Sequence, residues 1–338
     1  MRIIRTLAHA RAGLIGNPSD GYFGKTVSVI VSPFAARITL YDWPTLEIVW
    51  SQEDQSRFDN VRELVQDVKV HGYYGGVRLL KAAIKRFVEY CDLTGAPVHE
   101  KTFSIRYETN IPRNVGLAGS SAIIVATLRA LMEFYEVTIP IDILPSLALD
   151  IEKKELGISA GLQDRVIQVF GGAVAMDFSK ENARVDSALG LTYGVYERLD
   201  TKRLPPLYIA YSAEAGEPTY VVHNPLRARY EAGDKVVVEA MQQFARLAEE
   251  FRGALTAGDV DEMHRLVNAN FDLRTTICNI NRDHGAMIAA ARSVGASAKF
   301  AGSGGAIIGI YRDQSMLQSL TQALKKLGCT TIPLSFDV

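Results

Sequence analysis

Pro112-Arg113-Asn114-Val115-Gly116-Leu117-Ala118-Gly119-Ser120-Ser121-Ala122 is the stretch on which the reading of this chain turns. A loop carrying glycine and serine runs there directly into a segment, Ser120 to about Tyr135, that is apolar nearly all round and is therefore expected to be a buried helix. Such a junction gathers several free backbone amides and adds the positive end of the helix dipole, and its glycines let the backbone approach a ligand closely. It can hold a polyphosphate without a cluster of lysines. An ordinary serine N-cap after a loop has the same bare pattern, so the surrounding sequence has to decide between the two.

On the N-terminal side, Phe103, Ile105 and Tyr107 alternate with Ser104, Arg106 and Glu108 and predict a half-buried strand leading into the loop. Before it, Val77, Leu80, Ile84, Phe87 and Val88 recur at helical spacing with basic residues opposite, which predicts an amphipathic helix. The chain opens with a strand, a turn-rich stretch from Gly13 to Lys25, and a β-rich run in which Val27, Val29 and Val31 alternate with smaller or more polar residues. On the C-terminal side a helix is expected from Pro145 to Leu156, stopped by Gly157, and a short helix from about Leu162 to Gly171, then a strand from Ala173 to Phe178.

Patterning is weakest between Ser179 and Pro206, which places a domain boundary near residue 190, to within about ten residues. The expected organisation is an N-terminal domain over 1–190 and a C-terminal domain over 191–338, each mixing helices and strands. The second part carries a strand at Leu207–Tyr211, long helices around 236–255 and 259–277, a glycine loop from Lys299 to Gly305, a strand from Ala306 and a final helix on Leu317, Leu320, Leu324 and Leu327.

Composition narrows the function. Lys and Arg total 37 against 38 Asp and Glu, so there is no broad basic field for a nucleic-acid backbone or an anionic membrane, and an anion must be held locally. No stretch reaches the ~18 consecutive apolar residues of a membrane span. The apolar start is broken by His9 and Arg11, unlike a secretory signal, and Cys91, Cys278 and Cys329 fit neither a disulfide framework nor zinc spacing. A cytoplasmic protein acting on small molecules, with no nucleic acid or membrane as partner, is expected; the oligomeric state is not legible. Two apparent motifs fail. Gly24-Lys25-Thr26 has Ser19 where a P-loop needs its first glycine, and Gly302-Ser303-Gly304-Gly305 lacks the full dinucleotide fingerprint.

Glu152-Lys153-Lys154-Glu155 puts carboxylates in the last turn of its expected helix, where the dipole disfavours negative charge. Either Lys153 and Lys154 compensate on a solvated face, or a hard cation such as Mg²⁺ does so together with phosphate oxygens. Asp164, at the start of the short helix, either caps it or pairs with Arg165, or serves as a fixed carboxylate that accepts the proton of an attacking hydroxyl.

Taken in order, three segments resemble the motifs of the GHMP kinases, the superfamily of galactokinase, homoserine kinase, mevalonate kinase and phosphomevalonate kinase. Arg11 to Asp20 resembles the substrate-side motif, Pro112 to Ala122 the phosphate-binding motif, and Lys299 to Ala306 the third, so the resemblance spans essentially the whole chain. Within the superfamily, Gly16-Asn-Pro-Ser-Asp20-Gly-Tyr-Phe-Gly24, Gly72-Tyr-Tyr-Gly-Gly-Val-Arg78, Asn110-Ile-Pro-Arg113 and Glu155-Leu-Gly-Ile-Ser-Ala-Gly161-Leu-Gln-Asp164-Arg165 resemble the plant-type glucuronokinases, which phosphorylate the anomeric hydroxyl of glucuronic acid. The chain departs from the wider superfamily in lacking Pro-Gly before Arg11 and in carrying Asn17-Pro18 where galactokinases have Glu-His.

The resemblance implies an α+β, two-domain kinase, an N-terminal αβ domain (1–190) joined to a C-terminal αβ-sandwich (191–338) with the active site in the cleft between them, ATP as co-substrate and Mg²⁺ as cofactor. It implies Asp164 and Arg11 as catalytic residues; Pro112, Gly116, Leu117, Ala118, Gly119, Ser120, Ser121 and Ala122 around the phosphates; Asn17, Asp20, Tyr22 and Gly304 toward the sugar; and Ser120 with Glu152 at the metal. Ser121 replaces Ser120 if the loop is shifted by one, and Glu152 matches the metal position better than Glu155. Adenine is assigned only to the region of Tyr73 to Arg78. A uronate carboxylate needs its own donors, for which Arg113, Arg165, Arg227, Arg229 and Tyr22 are candidates. A kinase for another sugar or polyol, and a non-catalytic homologue that binds sugar and nucleotide, are the competing readings.

Overall fold

The computed structural model describes residues 2–49, 75–158, 160–212 and 220–336, with the side chains of 220–225 excepted. Tyr73 and Tyr74, the first two residues of the expected adenine region, lie outside the described residues, as does Ser159.

The first sheet is built on a long antiparallel pair, β1 (Ile3–Ile15) and β2 (Lys25–Asp42), joined by a turn of 3₁₀ helix at Ser19–Tyr22. β2 is long enough to pair twice on its other edge, its second half with β4 (Phe103–Thr109) and its first half with β5 (Ala173–Asp177). The short β3 (Glu47–Ile48) lies parallel to β4. A ribbon of β6 (Arg184–Val185) and β7 (Thr192–Tyr193) precedes β8 (Val195–Leu199), which pairs with β5.

β8 thus belongs to the first sheet although it follows residue 190, and the chain passes to the second sheet between Leu199 and Leu207. An edge strand whose residues are mostly solvated carries little apolar alternation, so β8 leaves no periodic signal of its own in the sequence.

α1 (Gly76–Thr94) and α2 (Gly119–Tyr135) cover this sheet, followed by α3 (Leu144–Asp150), which continues as a wide π-type turn over Ile151–Glu155, and α4 (Gln163–Phe170). α2 buries residues from Ser121 to Ala126 without a break, as expected of a helix that is apolar all round. Where one continuous helix was expected from Pro145 to Leu156, the widened turn begins at Ile151 and turns Glu152 inward to full burial.

The second sheet runs in the order β10 (Lys299–Phe300), β11 (Ala306–Ile310), β9 (Leu207–Tyr211), β12 (Thr330–Pro333). Around it lie α5 (Tyr220–Glu231), α6 (Lys235–Ala257), α7 (Val260–Thr275), α8 (Arg282–Ser293) and α9 (Gln314–Lys325). β9 shows the two-residue period of a strand buried on both faces. Leu207 and Ile209 join the large core that also contains β1, β2, α2 and α6, while Tyr208 and Ala210 face a separate core with Phe271, Met287, Leu317 and Leu320. The two sheets are therefore tied through one continuous apolar core, which fixes the seam where the functional residues lie. Among the described residues no helix is long and apolar enough to cross a membrane, and the three cysteines are free.

Candidate active site

The last residues of β1 tie the three motifs together. The backbone N–H of Arg11 donates to Leu117 O at 3.2 Å and that of Gly13 to Ala301 O at 2.8 Å, so one strand end touches both the serine-glycine loop and the late glycine loop. The Arg11 side chain repeats the connection. Its Nη1 donates to Gly116 O at 2.6 Å and Ala301 O at 3.3 Å, and its Nε and Nη2 grip Asp164 Oδ1 and Oδ2 at 2.5 and 2.7 Å. This bidentate pair is nearly buried, and it fixes the direction of the Asp164 carboxylate.

The two glycine loops pack backbone to backbone. A Cβ on Gly116, whose φ is +73°, would stand 2.9 Å from Gly304 O, and one on Gly302 would stand 2.4 Å from Gly116 O. Only glycine permits that approach. Asn114 and Ala118 also adopt left-handed φ values of 58° and 61°, a conformation that costs a non-glycine residue on the order of 1–3 kcal/mol and that the tight packing must hold in place. The result is a rigid loop at the N-terminus of α2.

Ser120, in the first turn of α2, donates from Oγ to Glu152 Oε1 at 2.9 Å. Ser121 instead turns back to Ala118 O at 3.1 Å and is wholly buried, which distinguishes the two serines that the sequence left open. Glu152 is balanced neither by Lys153 nor by Lys154: Lys154 reaches Asp150 at 2.8 Å, while Arg165 donates from Nε to Glu152 Oε2 at 2.5 Å and pairs with it through Nη2 as well. Glu155 lies outside this cluster, paired with Lys85 at 2.7 Å.

A cavity opens among these groups, lined by Arg11, Asp164, Arg165, Ser120 and Gly116 together with Asn17, Asp20, Gly302, Ser303 and Arg274. Asp164 and the late glycine loop thus face the same space. Asp20 lies beside Asp164, and burial together with that second carboxylate pushes its pKa up to about 6; the Gln163 N–H, 3.4 Å away, opposes the shift. Tyr22 is buried against Tyr230, with the Arg227 guanidinium over its ring at 5.0 Å, and does not line the cavity. Gly304 packs against His284 behind the loop, Arg113 is exposed at the loop's edge, and Arg229 pairs with Asp234 away from the site. Pro112, Gly119 and Ala122 belong to the loop and helix start without lining the cavity, while Ala118 does line it and Leu117 lies buried beneath.

Three residues beyond the expected set hold the site. Lys299 is buried and donates from Nζ to Gly13 O, Asn17 Oδ1 and Phe300 O at 2.6, 2.5 and 2.8 Å; burial and the charges of Arg274 and Arg11 push its pKa well down. Asn270 accepts from Gly16 N at 2.6 Å and donates to Asn17 O at 3.2 Å, and Arg274, one turn along α7, donates to Gly302 O and Ser303 O at 3.0 and 3.2 Å. Asn270 and Arg274 are polar positions on the buried face of an otherwise apolar helix stripe, the one local signal that could have drawn attention to them.

Comparisons with known proteins show the family and the fold. The model for the GHMP kinases N terminal domain matches residues 78–172, the span containing the loop, Glu152 and Asp164. The chain is 43% identical over 332 residues to "Probable glucuronokinase 2" of Arabidopsis thaliana, covering 96% of this chain and 89% of that protein. The chain belongs to the GHMP kinase family. It is also 41% identical over 333 residues to "Glucuronokinase 1" of the same plant, covering 96% and 90%. Among solved structures it resembles a D-glycero-D-manno-heptose 1-phosphate kinase from Bacteroides thetaiotaomicron with a TM-score of 0.69 over 99% of this chain and 96% of that one, at 20% identity, a likeness of fold. This GHMP kinase chain therefore has the two-part α+β architecture that its three motifs imply.

Proposed function

We propose that this chain transfers the γ-phosphate of ATP to the anomeric hydroxyl of D-glucuronate, giving glucuronate 1-phosphate and ADP. The observation that carries the chemistry is the junction at Arg11, where substrate motif, phosphate loop and late glycine loop converge on one carboxylate, Asp164. The substrate follows from the likeness, over nearly the whole chain, to two Arabidopsis proteins named as glucuronokinases.

In this reading the sugar lies between Asp20, Asn17 and Asp164, with its anomeric oxygen against Asp164. Asp164 accepts the hydroxyl proton, or orients that hydroxyl, as the oxygen bonds to the γ-phosphorus and the bond to the ADP oxygen breaks. Arg11 holds the Asp164 carboxylate in place and lies beside the transferring oxygens. The amides at the start of α2 receive the phosphate charge. Phosphoryl transfer asks mainly for such positioning and neutralisation.

Ser120 and Glu152 fit a hard divalent cation. One carboxylate and one hydroxyl 2.9 Å apart at the mouth of a phosphate loop leave the remaining positions of a Mg²⁺ shell to phosphate oxygens and water. When bound there, Mg²⁺ would neutralise phosphate charge. Arg165 holds Glu152 aimed through its second oxygen.

The test is a coupled ADP-release assay with glucuronate, galacturonate, glucose and galactose. The proposal expects glucuronate to have the highest kcat/KM and the neutral hexoses to be much poorer. If a neutral hexose is used as well as glucuronate, the uronate assignment fails and a broader sugar kinase remains.

A further inference from the structure

Three arginines line the cavity, and two of them are already matched. Arg11 holds both oxygens of Asp164, and Arg165 holds Glu152 and lies 3.3 Å from Asp164. Arg274 differs. It is only 4% exposed, its guanidinium contacts are two backbone carbonyls and the Phe300 ring at 5.2 Å, and its buried Nε has no hydrogen-bond partner among the described residues. No ion pair joins it to any described carboxylate, and burial lowers its pKa accordingly.

A buried cation without a counter-ion is costly unless an anion arrives to match it. Arg274 stays in place because Gly302 O and Ser303 O hold its two terminal nitrogens, leaving one N–H on each, besides Nε, for another acceptor. Its position favours the sugar end over the phosphate end. Asn270, one turn earlier on the same face of α7, fixes Gly16 and Asn17 of the substrate motif, whereas the loop of Gly116 to Ser120 is served by Arg11, Glu152 and the α2 amides.

We propose that Arg274 is the residue that selects an acidic sugar, its guanidinium taking the planar carboxylate of the substrate in the cavity. The inference rests on the uronate reading above and names the group that enforces it. A guanidinium fork suits a carboxylate because it offers two parallel N–H donors, a geometry that lysine cannot reproduce. Arg113, Arg227 and Arg229 do not line the cavity, and Arg165 is engaged by Glu152.

The experiment compares wild type, R274M and R274K with D-glucuronate and D-glucuronamide, whose neutral amide replaces the carboxylate. It reads kcat/KM for both sugars, the Kd of both by calorimetry, and the Kd of a non-hydrolysable ATP analogue. Losing a hydrogen-bonded charge contact lowers glucuronate kcat/KM roughly ten- to a hundredfold in R274M, mostly through KM. The preference for glucuronate over glucuronamide collapses while nucleotide affinity holds, and R274K recovers only part of the preference. If R274M does not fold, the loss of preference in R274K carries the test. A variant that keeps the wild-type preference, with both sugars falling together and nucleotide binding weakened, overturns the inference and assigns Arg274 to the phosphates. A wild-type enzyme that does not prefer glucuronate overturns the uronate reading itself, a separate result visible before any variant is made.

Discussion

Replacing Asp164 by Asn is the most informative single change, because the structure allows its two consequences to be separated. Asp164 receives two guanidinium hydrogen bonds from Arg11, at 2.5 and 2.7 Å, and its side chain is 18% exposed. Asn keeps the shape, but one carboxylate oxygen becomes an NH₂ that faces the Arg11 donors. One charge-assisted bond is lost outright and the other weakens. At about 1.5–3 kcal/mol for a hydrogen bond to a charged group, the fold loses on the order of 2 kcal/mol, since solvent reaches the pair and relieves part of the cost. At ~2–4 °C per kcal/mol for domains of 150–250 residues, Tm falls by several degrees. Turnover falls further, by ~10²–10⁴, the usual contribution of a positioned acid or base. The assays are steady-state ADP release, a thermal melt and calorimetric titration of an ATP analogue, which should bind with near wild-type affinity. A variant within about threefold of wild-type kcat, on a scale where tenfold is ~1.4 kcal/mol, would refute the role given to Asp164 and leave it as a structural partner of Arg11.

Glu152→Gln raises the Mg²⁺ concentration needed for half-maximal rate and Glu155→Gln changes it little, because Glu155 pairs with exposed Lys85 whereas Glu152 faces Ser120; the reverse order in a Mg²⁺ titration would move the metal off Glu152. Asp20 binds its proton more tightly when folded, with a pKa raised from 3.8 to about 6, so its ionisation destabilises the ligand-free fold as pH rises through that interval. Asp20→Asn should therefore melt higher than wild type at pH 7 and above, with the gap closing below pH 3.8; a constant gap across pH would remove Asp20 as its source. Gly116→Ala forces a Cβ to within 2.9 Å of Gly304 O at a left-handed φ, and should lower Tm and weaken nucleotide binding together; a variant with unchanged nucleotide affinity would show that the loop contact is dispensable.

The sequence made the frame legible wherever periodicity was strong. α2, β4, β9 and the helix on Leu317, Leu320 and Leu324 lie where their apolar spacing puts them. β8 and the ribbon before it were not legible because their side chains are largely solvated. α8 was missed as well; it has only four buried residues, His284 among them, and a weak apolar stripe. In the site, residues fixed by local motif came forward readily, among them Arg11, Ser120, Glu152 and Asp164. Those fixed by long-range packing did not. Arg165 read as a partner of Asp164 or a donor to a substrate carboxylate, and its pairing with Glu152 depends on the widened turn at Ile151–Glu155. Lys299 and Arg274 acquire meaning only when β1 and α7 meet the late glycine loop, contacts between residues hundreds of positions apart in the chain or at the far end of a helix.

The most direct measurement is phosphorus NMR of a reaction containing the protein, ATP, Mg²⁺ and D-glucuronate. The account predicts the growth of ADP signals together with one new phosphate ester resonance coupled to the anomeric proton of the sugar. A new ester coupled to any other sugar proton, or ADP accompanied only by inorganic phosphate, would contradict it.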